Sequence, residues 1–375
     1  MIRSKQLVQN LSRRNVLAGL TATALTACTS RTKTPVLTLP KGAGDPLARI
    51  RLSANAGRAE WAQHLHRNGL GRGPSVLALS GGGEDGAFGA GALAGWSATG
   101  QRPDFDIVTG VSTGALIAPF AFLGPEFDAD LRRVFTGHDA DDIMKFKPLH
   151  VLFSDALYDT TPLANLIAEF TPPSFMRAVA KRHTAGARLF VVTSDLDRAQ
   201  ASVWDMGEIA KSGQYDLFRA IMRASAALPG MFSPVELRYS LDDVTYSETH
   251  IDGGVHMQFL AVPEYAFLSP DRKISGGEMY LLINNTLDPA PVAVSRSALG
   301  ISQQALTTTG RATAQAGVAA TQMFARANGV DLSVASIDAG AGIVYDASER
   351  FSAPYMIALY QHGLARGKDH TLWSK

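Results

Sequence analysis

The sequence predicts an α/β fold with a largely parallel central sheet. Short apolar runs typical of buried strands alternate with stretches of the small and apolar residues found in packed helices. The strand candidates are Ser75–Leu79, Asp106–Thr109, Leu189–Thr193 and Met279–Ile283, and the helix candidates are Gly86–Ala98, Ala115–Leu123, Thr161–Phe170 and Leu299–Asn328. The chain has 375 residues, 46% hydrophobic and 18% charged, which is enough to bury a sizeable core.

Residues 1–27 have the features of an export signal. Four basic residues and no acid are followed by a weakly apolar run, Val16–Ala27. At about 12 residues this run is too short to span a bilayer, which needs ~20. It ends in Leu25-Thr-Ala-Cys28, which resembles a bacterial lipobox and predicts acylation of Cys28, the only cysteine, as the new N-terminus. The pair Arg13-Arg14 also resembles a twin-arginine signal, so the export route stays open.

The organisation of the rest of the chain follows from this signal. Residues 28–48 contain three prolines and little periodicity, and we interpret them as a lipidated tether. Residues 49–375 then form the folded body, with the motifs described below starting at about residue 75. The predicted location is the cell envelope of a bacterium, and Thr29 after the cysteine, rather than Asp, favours the outer membrane over the inner one.

The charge balance argues against a nucleic-acid partner. The formal net charge is +1, and removing the four cations of residues 1–27 leaves 1 − 4 = −3. A protein of this charge lacks the basic surface that binds phosphate backbones.

A glycine-rich loop follows the first strand candidate. Gly81-Gly82-Gly83-Glu84-Asp85-Gly86 satisfies the pattern G-x-G-x-x-G between a strand and a helix. One interpretation is a dinucleotide site, with Asp104 or Asp106 as the ribose-binding acid. Against it, Glu84 and Asp85 stand where a pyrophosphate would lie. The other interpretation is a set of backbone N–H donors for a charge that develops during a reaction.

A second motif, Gly110-Val-Ser112-Thr-Gly114, joins a strand candidate to a helix candidate. This is the pattern of a nucleophile elbow, in which a serine occupies a sharp strand-to-helix turn. Side chains at positions 110 and 114 would collide across such a turn, and glycine removes them. The N-terminal N–H groups of the following helix favour negative charge at the serine.

The serine needs a proton acceptor, and the sequence offers several. His362 and His370 lie near the C-terminus without an obvious supporting loop. In Ser247–Met257, strand periodicity places Glu248, His250 and Asp252 on one face. Such a trio could bind a metal, but it is more typical of a polar strand face. Asp252 is followed by Gly253 and Gly254, which leave space for a direct approach to a serine.

Together, GGGxxG, GxSxG and DGG resemble the patatin-like phospholipase family in content and order. Further segments are similar: Ser154–Ile167, Val191–Arg198, Arg223–Val235 and Phe351–Gly363. The resemblance covers roughly Ser75 to the C-terminus. It implies a three-layer α/β/α sheet and catalysis by a Ser–Asp dyad without histidine, metal or cofactor. Carried over, Ser112 is the nucleophile, Asp252 accepts its proton, and the N–H groups of Gly81, Gly82 and Gly83 form the oxyanion hole.

One position departs from the family pattern. The family usually has Arg or Lys just before the last glycine of GGGxxG, where this chain has Asp85. We expect a carboxylate there to weaken the local positive potential and to disfavour anionic substrates, which shifts the expectation from phospholipids towards neutral lipids or small esters.

The sequence therefore predicts a lipid-anchored serine hydrolase that cleaves carboxylic esters of phospholipids or neutral lipids through an acyl-enzyme. Three alternatives stay open: an acyltransferase that uses the same dyad, a non-catalytic lipid-binding envelope lipoprotein, and a nucleotide-binding protein that uses the glycine loop. The predicted partners are lipid esters and, through the N-terminal lipid, a membrane. The oligomeric state is not readable from the sequence.

Overall fold

A mixed nine-stranded sheet is the centre of the part of the chain described by the computed structural model. The described residues are 45–65, 73–146, 156–241, 244–268, 276–288, 294, 296–346 and 349–374, and they belong to one compact unit, Lys41–Lys375. The predicted signal, Cys28 and most of the predicted tether lie outside the described residues.

The strands, in chain order, are β1 (Arg51–Ser53), β2 (Ser75–Leu79), β3 (Ile107–Val111), β4 (Lys145–Phe146), β5 (Tyr158–Asp159), β6 (Arg188–Asp195), β7 (Gln200–Asp205), β8 (Val235–Leu241), β9 (Val244–Asp252), β10 (Glu278–Ile283) and β11 (Asp331–Ser336). The helices are α1 (Arg58–His64), α2 (Gly86–Ala98), α3 (Thr113–Leu123), α4 (Asp128–Thr136), α5 (Ala140–Ile143), α6 (Thr161–Phe170), α7 (Pro173–Thr184), α8 (Met206–Lys211), α9 (Tyr215–Ser225), α10 (Glu264–Phe267), α11 (Ala298–Asn328) and α12 (Ala353–Lys368).

The sheet order is β1-β7-β6-β3-β2-β10-β11, with β9 pairing β6 and β8 pairing β9. The five strands from β6 to β11 along this path are parallel, and each strand candidate of the sequence coincides with one of them. β1, β7, β8 and β9 pair antiparallel, so the sheet is mixed. β4 and β5 form a separate small ribbon.

Both faces of the sheet are covered, which gives the predicted three layers. Along β2, Leu77 and Leu79 belong to the main core under most of the helices, whereas Val76 and Ala78 face the opposite side. Alternation of this kind follows from the two-residue period of a strand. The opposite side is closed by α11 on one part of the sheet and by Trp61 of α1 on another.

Close helix packing fixes the C-terminal helix against the helix that follows the glycine loop. A Cβ added at Gly91 of α2 would lie 2.0 Å from the carbonyl oxygen of Tyr360, and one added at Gly363 of α12 would lie 2.2 Å from that of Phe88. Only glycine permits backbones to approach this closely. The C-terminal segment therefore stabilises the element that begins at the glycine loop.

Among the described residues, no helix has both the length and the apolar character needed to cross a bilayer.

Candidate active site

Ser112 occupies the turn between β3 and α3 with a left-handed backbone conformation, φ 55° and ψ −125°. A non-glycine residue in this region is strained, and such strain is typical of functional sites. A Cβ at Gly110 would lie 2.4 Å from the carbonyl oxygen of Gly114, and a Cβ at Gly114 would lie 2.4 Å from that of Leu79. Both elbow glycines are therefore required by the backbone, as the sequence pattern predicts.

The hydroxyl of Ser112 donates a 2.6 Å hydrogen bond to Oδ2 of Asp252. Strand register explains how residues from two distant segments meet. Val111 of β3 is paired with Val192 of β6, and the next residue of β6, Thr193, is paired with Asp252 at the end of β9. The end of antiparallel β9 thus reaches the carboxyl end of parallel β3. Both side chains are buried, with 9% of Ser112 and 3% of Asp252 exposed.

The Asp252 carboxylate is held in a nearly dry environment. Its second oxygen, Oδ1, accepts a 2.7 Å hydrogen bond from the Gly254 N–H. Burial raises the pKa of Asp252 to about 6, although the hydrogen bonds from Ser112 and Gly254 act in the opposite direction. A carboxylate with a pKa close to neutrality is a suitable proton acceptor for a serine hydroxyl.

Two further serines, which the sequence did not identify, support the pair. Ser225, at the end of α9, accepts a 2.9 Å hydrogen bond from the Ser112 N–H and donates one of 2.7 Å to the Val192 carbonyl. The Ser194 hydroxyl donates to the Asp252 carbonyl at 2.8 Å. Both are buried, so these hydrogen bonds fix the backbone on each side of the dyad.

The glycine loop lies directly against the nucleophile. A Cβ at Gly81 would lie 3.2 Å from Cβ of Ser112. The Gly81 N–H donates to the carbonyl oxygen of Gln258 at 3.0 Å, whereas the N–H groups of Gly82 and Gly83 donate no hydrogen bond to another described residue. Gly83 has φ 59°, a conformation that favours glycine. Of the three predicted donors, Gly82 and Gly83 are thus the ones without an acceptor in the part of the chain that the structure describes, whereas the Gly81 N–H is already bound.

Gln258 joins the loop to the dyad. Its backbone oxygen binds the Gly81 N–H, and its side-chain Nε2 donates to the Gly254 carbonyl at 2.8 Å. Gly310 of α11 packs against the same side chain, since a Cβ there would lie 3.0 Å from Nε2. The only sequence signal for this role is the position of Gln258 shortly after the DGG motif.

Both acidic residues of the glycine loop have side-chain partners from a distant part of the chain. Glu84 is buried and forms a bidentate ion pair with Arg350, at 2.6 and 2.8 Å. Asp85 is half-buried, and its Oδ1 accepts a 2.6 Å hydrogen bond from the Tyr355 hydroxyl. Burial raises the pKa of Asp85 to about 7, against the effect of Tyr355. Asp85 is therefore only partly ionised at neutral pH, and Arg350 brings a cation to the loop from a distant part of the chain.

The predicted acidic face of β9 is divided between two environments. Asp252 turns to Ser112, whereas Glu248 forms ion pairs with Arg51 and Arg198. Ligand atoms of Glu248, His250 and Asp195 lie within 4.8 Å of one another, close enough to hold a metal ion. Because two guanidinium groups already balance the Glu248 carboxylate, these contacts describe a buried ion-pair network.

The C-terminal histidines are not part of the dyad. Nε2 of His362 lies 3.3 Å from Oδ2 of Asp338, and His370 follows the end of α12. The Ser112–Asp252 contact is direct, without an intervening imidazole.

The fold and this geometry define a class: an α/β protein with a serine on a strained nucleophile elbow, beside a glycine loop. Residues 77–263 match the family described as patatin-like phospholipase, and the chain belongs to that family. Membership implies a lipid acyl hydrolase. Among solved structures, VipD from Legionella pneumophila is similar, with 11% identity, 80% of this chain and 67% of that chain covered, and a TM-score of 0.39. No curated protein matches the chain.

Proposed function

We propose that this protein hydrolyses carboxylic esters of lipids through a covalent acyl-enzyme at Ser112. The observation that carries the proposal is the 2.6 Å hydrogen bond from the Ser112 hydroxyl to a buried Asp252 carboxylate, on an elbow that abuts a glycine loop. A nucleophile within hydrogen-bond reach of its base is the signature of nucleophilic catalysis.

The chemistry proceeds in two halves. Ser112 Oγ attacks the ester carbonyl carbon while its proton passes to Asp252 Oδ2, and the carbonyl oxygen becomes an oxyanion. The N–H groups of Gly82 and Gly83 then donate to that oxygen. Collapse breaks the bond to the alcohol, which takes the proton from Asp252. Water attacks the acyl-serine and gives a proton to Asp252. Collapse then breaks the bond between Ser112 Oγ and the acyl carbon, Ser112 takes the proton back from Asp252, and the fatty acid is released.

The charges of the loop exclude neither phospholipids nor neutral lipids as substrates, so both classes should be assayed. The expected disadvantage of Asp85 for anionic substrates is smaller than its identity alone suggests, because its pKa of about 7 leaves it partly neutral and Arg350 neutralises the neighbouring Glu84. A panel of phospholipids, triacylglycerols and lysophospholipids is the appropriate assay.

The test is release of fatty acid from that panel by the purified protein and by Ser112→Ala. We expect release by the wild type and loss of at least about 10³-fold in kcat in the variant. Glycerol or lysolipid added as acyl acceptor separates hydrolysis from acyl transfer, since a transferase forms the acylated acceptor at the expense of free fatty acid. Equal rates for the two proteins contradict the proposal and favour a non-catalytic lipid-binding protein.

We further propose that Cys28 is lipidated and that the protein is exported to the bacterial envelope, more specifically to the outer membrane. The support is the basic start, the short apolar run and the lipobox-like residues before Cys28. A lipid at this position holds the enzyme at a lipid surface. Metabolic labelling with a palmitate analogue, with Cys28→Ala as control, tests it: label in both proteins, or in neither, contradicts it.

A further inference from the structure

Arg350 contacts Met231 and lies beside Gly83, in addition to forming its ion pair with Glu84. Its Nε and Nη2 atoms bind the two oxygens of Glu84, and its Nη1 lies 3.3 Å from Sδ of Met231. Nη2 also lies 3.6 Å from the position that a Cβ would take at Gly83. The guanidinium therefore lies alongside the backbone of the loop whose Gly82 and Gly83 N–H groups have no acceptor among the described residues.

The residue that follows Arg350 has a strained backbone conformation. The next residue, Phe351, has φ 55°, in the left-handed region that bulky side chains avoid. Its ring is buried against Phe232, and the Arg350 guanidinium lies 5.5 Å from the ring centroid. Backbone strain that packing maintains beside an active site is typical of residues held for function.

The guanidinium of Arg350 neutralises a negative charge beside the proposed oxyanion hole. Glu84 is buried beside the proposed oxyanion hole, and an unpaired carboxylate there would repel the negative charge that develops on the substrate. The bidentate pair with Arg350 cancels that charge. Because a planar guanidinium fits a carboxylate with two parallel hydrogen bonds, it also fixes the orientation of the Gly83–Asp85 turn.

We propose that Arg350 is a positioning residue for ester hydrolysis: through Glu84 it holds the Gly83 turn, and its charge cancels the negative potential of the buried Glu84 carboxylate at the oxyanion hole. This inference rests on the proposed hydrolase function. Its effect belongs to the transition state, since the oxyanion exists only there. The expected signature is a loss in kcat with little change in KM.

The experiment compares kcat, KM and Tm of the wild type, Arg350→Met, Arg350→Lys and the double variant Glu84→Gln/Arg350→Met. We expect Arg350→Met to lower kcat by about 10²-fold, with KM changed less than about threefold. Arg350→Lys recovers part of kcat because it keeps the charge but not the fork. Arg366→Met is the matched control, because Arg366 also pairs with a carboxylate, Asp338, but on the far part of α12. It is expected to keep kcat.

The double variant separates positioning from plain stability. Arg350→Met alone leaves a buried carboxylate unpaired, which lowers Tm, whereas the double variant removes both charges. We expect the double variant to recover Tm but to stay at least about tenfold below the wild type in kcat. It also carries the test if the single variant fails to fold.

Three results would decide against the proposal. Unchanged kcat in Arg350→Met overturns it, and so does recovery of kcat together with Tm in the double variant, because the residue then acts through stability alone. Absence of ester turnover in the wild type overturns the proposed function itself and this inference with it. The first two results leave the hydrolase function intact, so the failures are distinguishable.

Discussion

The Ser112 hydroxyl lies 2.6 Å from Oδ2 of Asp252, although 140 residues separate the two in the chain. The contact is direct, so the aspartate itself accepts the serine proton, whereas in a Ser-His-Asp triad the histidine accepts it and the aspartate stays ionised. The backbone, and not the choice of side-chain rotamer, determines where the two groups meet. A strained elbow holds the serine, and the register of β9 on β6 holds the aspartate. The predictions below test what this arrangement implies.

The rate of hydrolysis depends on the ionisation of Asp252. Its pKa is raised to about 6 by burial, and only the deprotonated form accepts the Ser112 proton. We therefore expect kcat/KM for a soluble ester to rise about tenfold per pH unit below a midpoint near 6 and to level off above it. Asp85, with a pKa of about 7, is the competing group, so Asp85→Asn is the control and should keep the midpoint. A flat profile from pH 5 to 8 contradicts the assignment.

The same pKa has a consequence for stability. The folded value of about 6 lies above the ordinary 3.8, so the contribution of Asp252 to stability is present below about pH 4 and is lost as the pH rises through 6. Above that pH the folded protein must bury an ionised carboxylate, at a cost of up to about 3 kcal/mol for a difference of roughly two pH units. We expect Asp252→Asn to abolish hydrolysis and to raise the free energy of unfolding at pH 8 by about 1–3 kcal/mol.

Urea unfolding of the wild type and Asp252→Asn measures this effect at two pH values. The gain should shrink towards zero below about pH 3, where the carboxyl is protonated in both states. A variant that is less stable than the wild type at pH 8 would show that the carboxylate stabilises the fold instead.

Ser225 is predicted to support the nucleophile through the backbone. Replacing it by alanine removes the acceptor of the Ser112 N–H and the donor to the Val192 carbonyl, both buried. We expect Ser225→Ala to lower the free energy of unfolding by about 1–3 kcal/mol and kcat by about tenfold.

Ser202→Ala is its matched control, since Ser202 is equally buried but its hydroxyl has no hydrogen-bond partner among the described residues. It should leave the free energy of unfolding unchanged or raise it by up to about 1 kcal/mol, because alanine removes a buried hydroxyl that has no partner among the described residues. Similar losses in the two variants would argue that any buried hydroxyl serves as well as Ser225.

The elbow glycines are predicted to be irreplaceable for a steric reason. A methyl group at Gly114 would lie 2.4 Å from the backbone oxygen of Leu79. We expect Gly114→Ala to lower the free energy of unfolding by at least about 3 kcal/mol, because backbone has to move on both sides. Gly340→Ala, where a Cβ meets no atom within 4 Å, should be neutral or stabilising by up to about 1 kcal/mol. A Gly114→Ala protein as stable as the wild type contradicts the elbow geometry.

The sequence predicts the parallel centre of the fold well and its antiparallel flank poorly. Buried parallel strands such as Ser75–Leu79 are short continuous apolar runs, which a local pattern reveals. β1 and β7 pair with each other across about 150 residues, at Arg51 and Trp204, and no local pattern encodes that pairing. The mixed character of the sheet is therefore a property of its long-range register.

The sequence likewise predicts some residues of the candidate site and misses others. Ser112, Asp252 and the glycines belong to short sequence motifs. The spacing within each motif indicates the local turn that the motif forms. Ser225 and Arg350 stand in no such motif, because their partners lie 113 and 266 residues away in the chain. The motif shows Glu84 and Asp85 but not their partners, Arg350 and Tyr355, so the sequence alone does not give the net charge at the loop.

The most direct test of the account is mass spectrometry of the purified protein after reaction with a fluorophosphonate, a reagent that labels activated serines. A Ser112 nucleophile activated by Asp252 should take one label, on the peptide that contains Ser112, absent in Ser112→Ala and strongly reduced in Asp252→Asn. Circular dichroism of the three proteins confirms that each is folded. A folded wild-type protein that takes no label, or one labelled equally in Asp252→Asn, would contradict the claim that Asp252 activates Ser112.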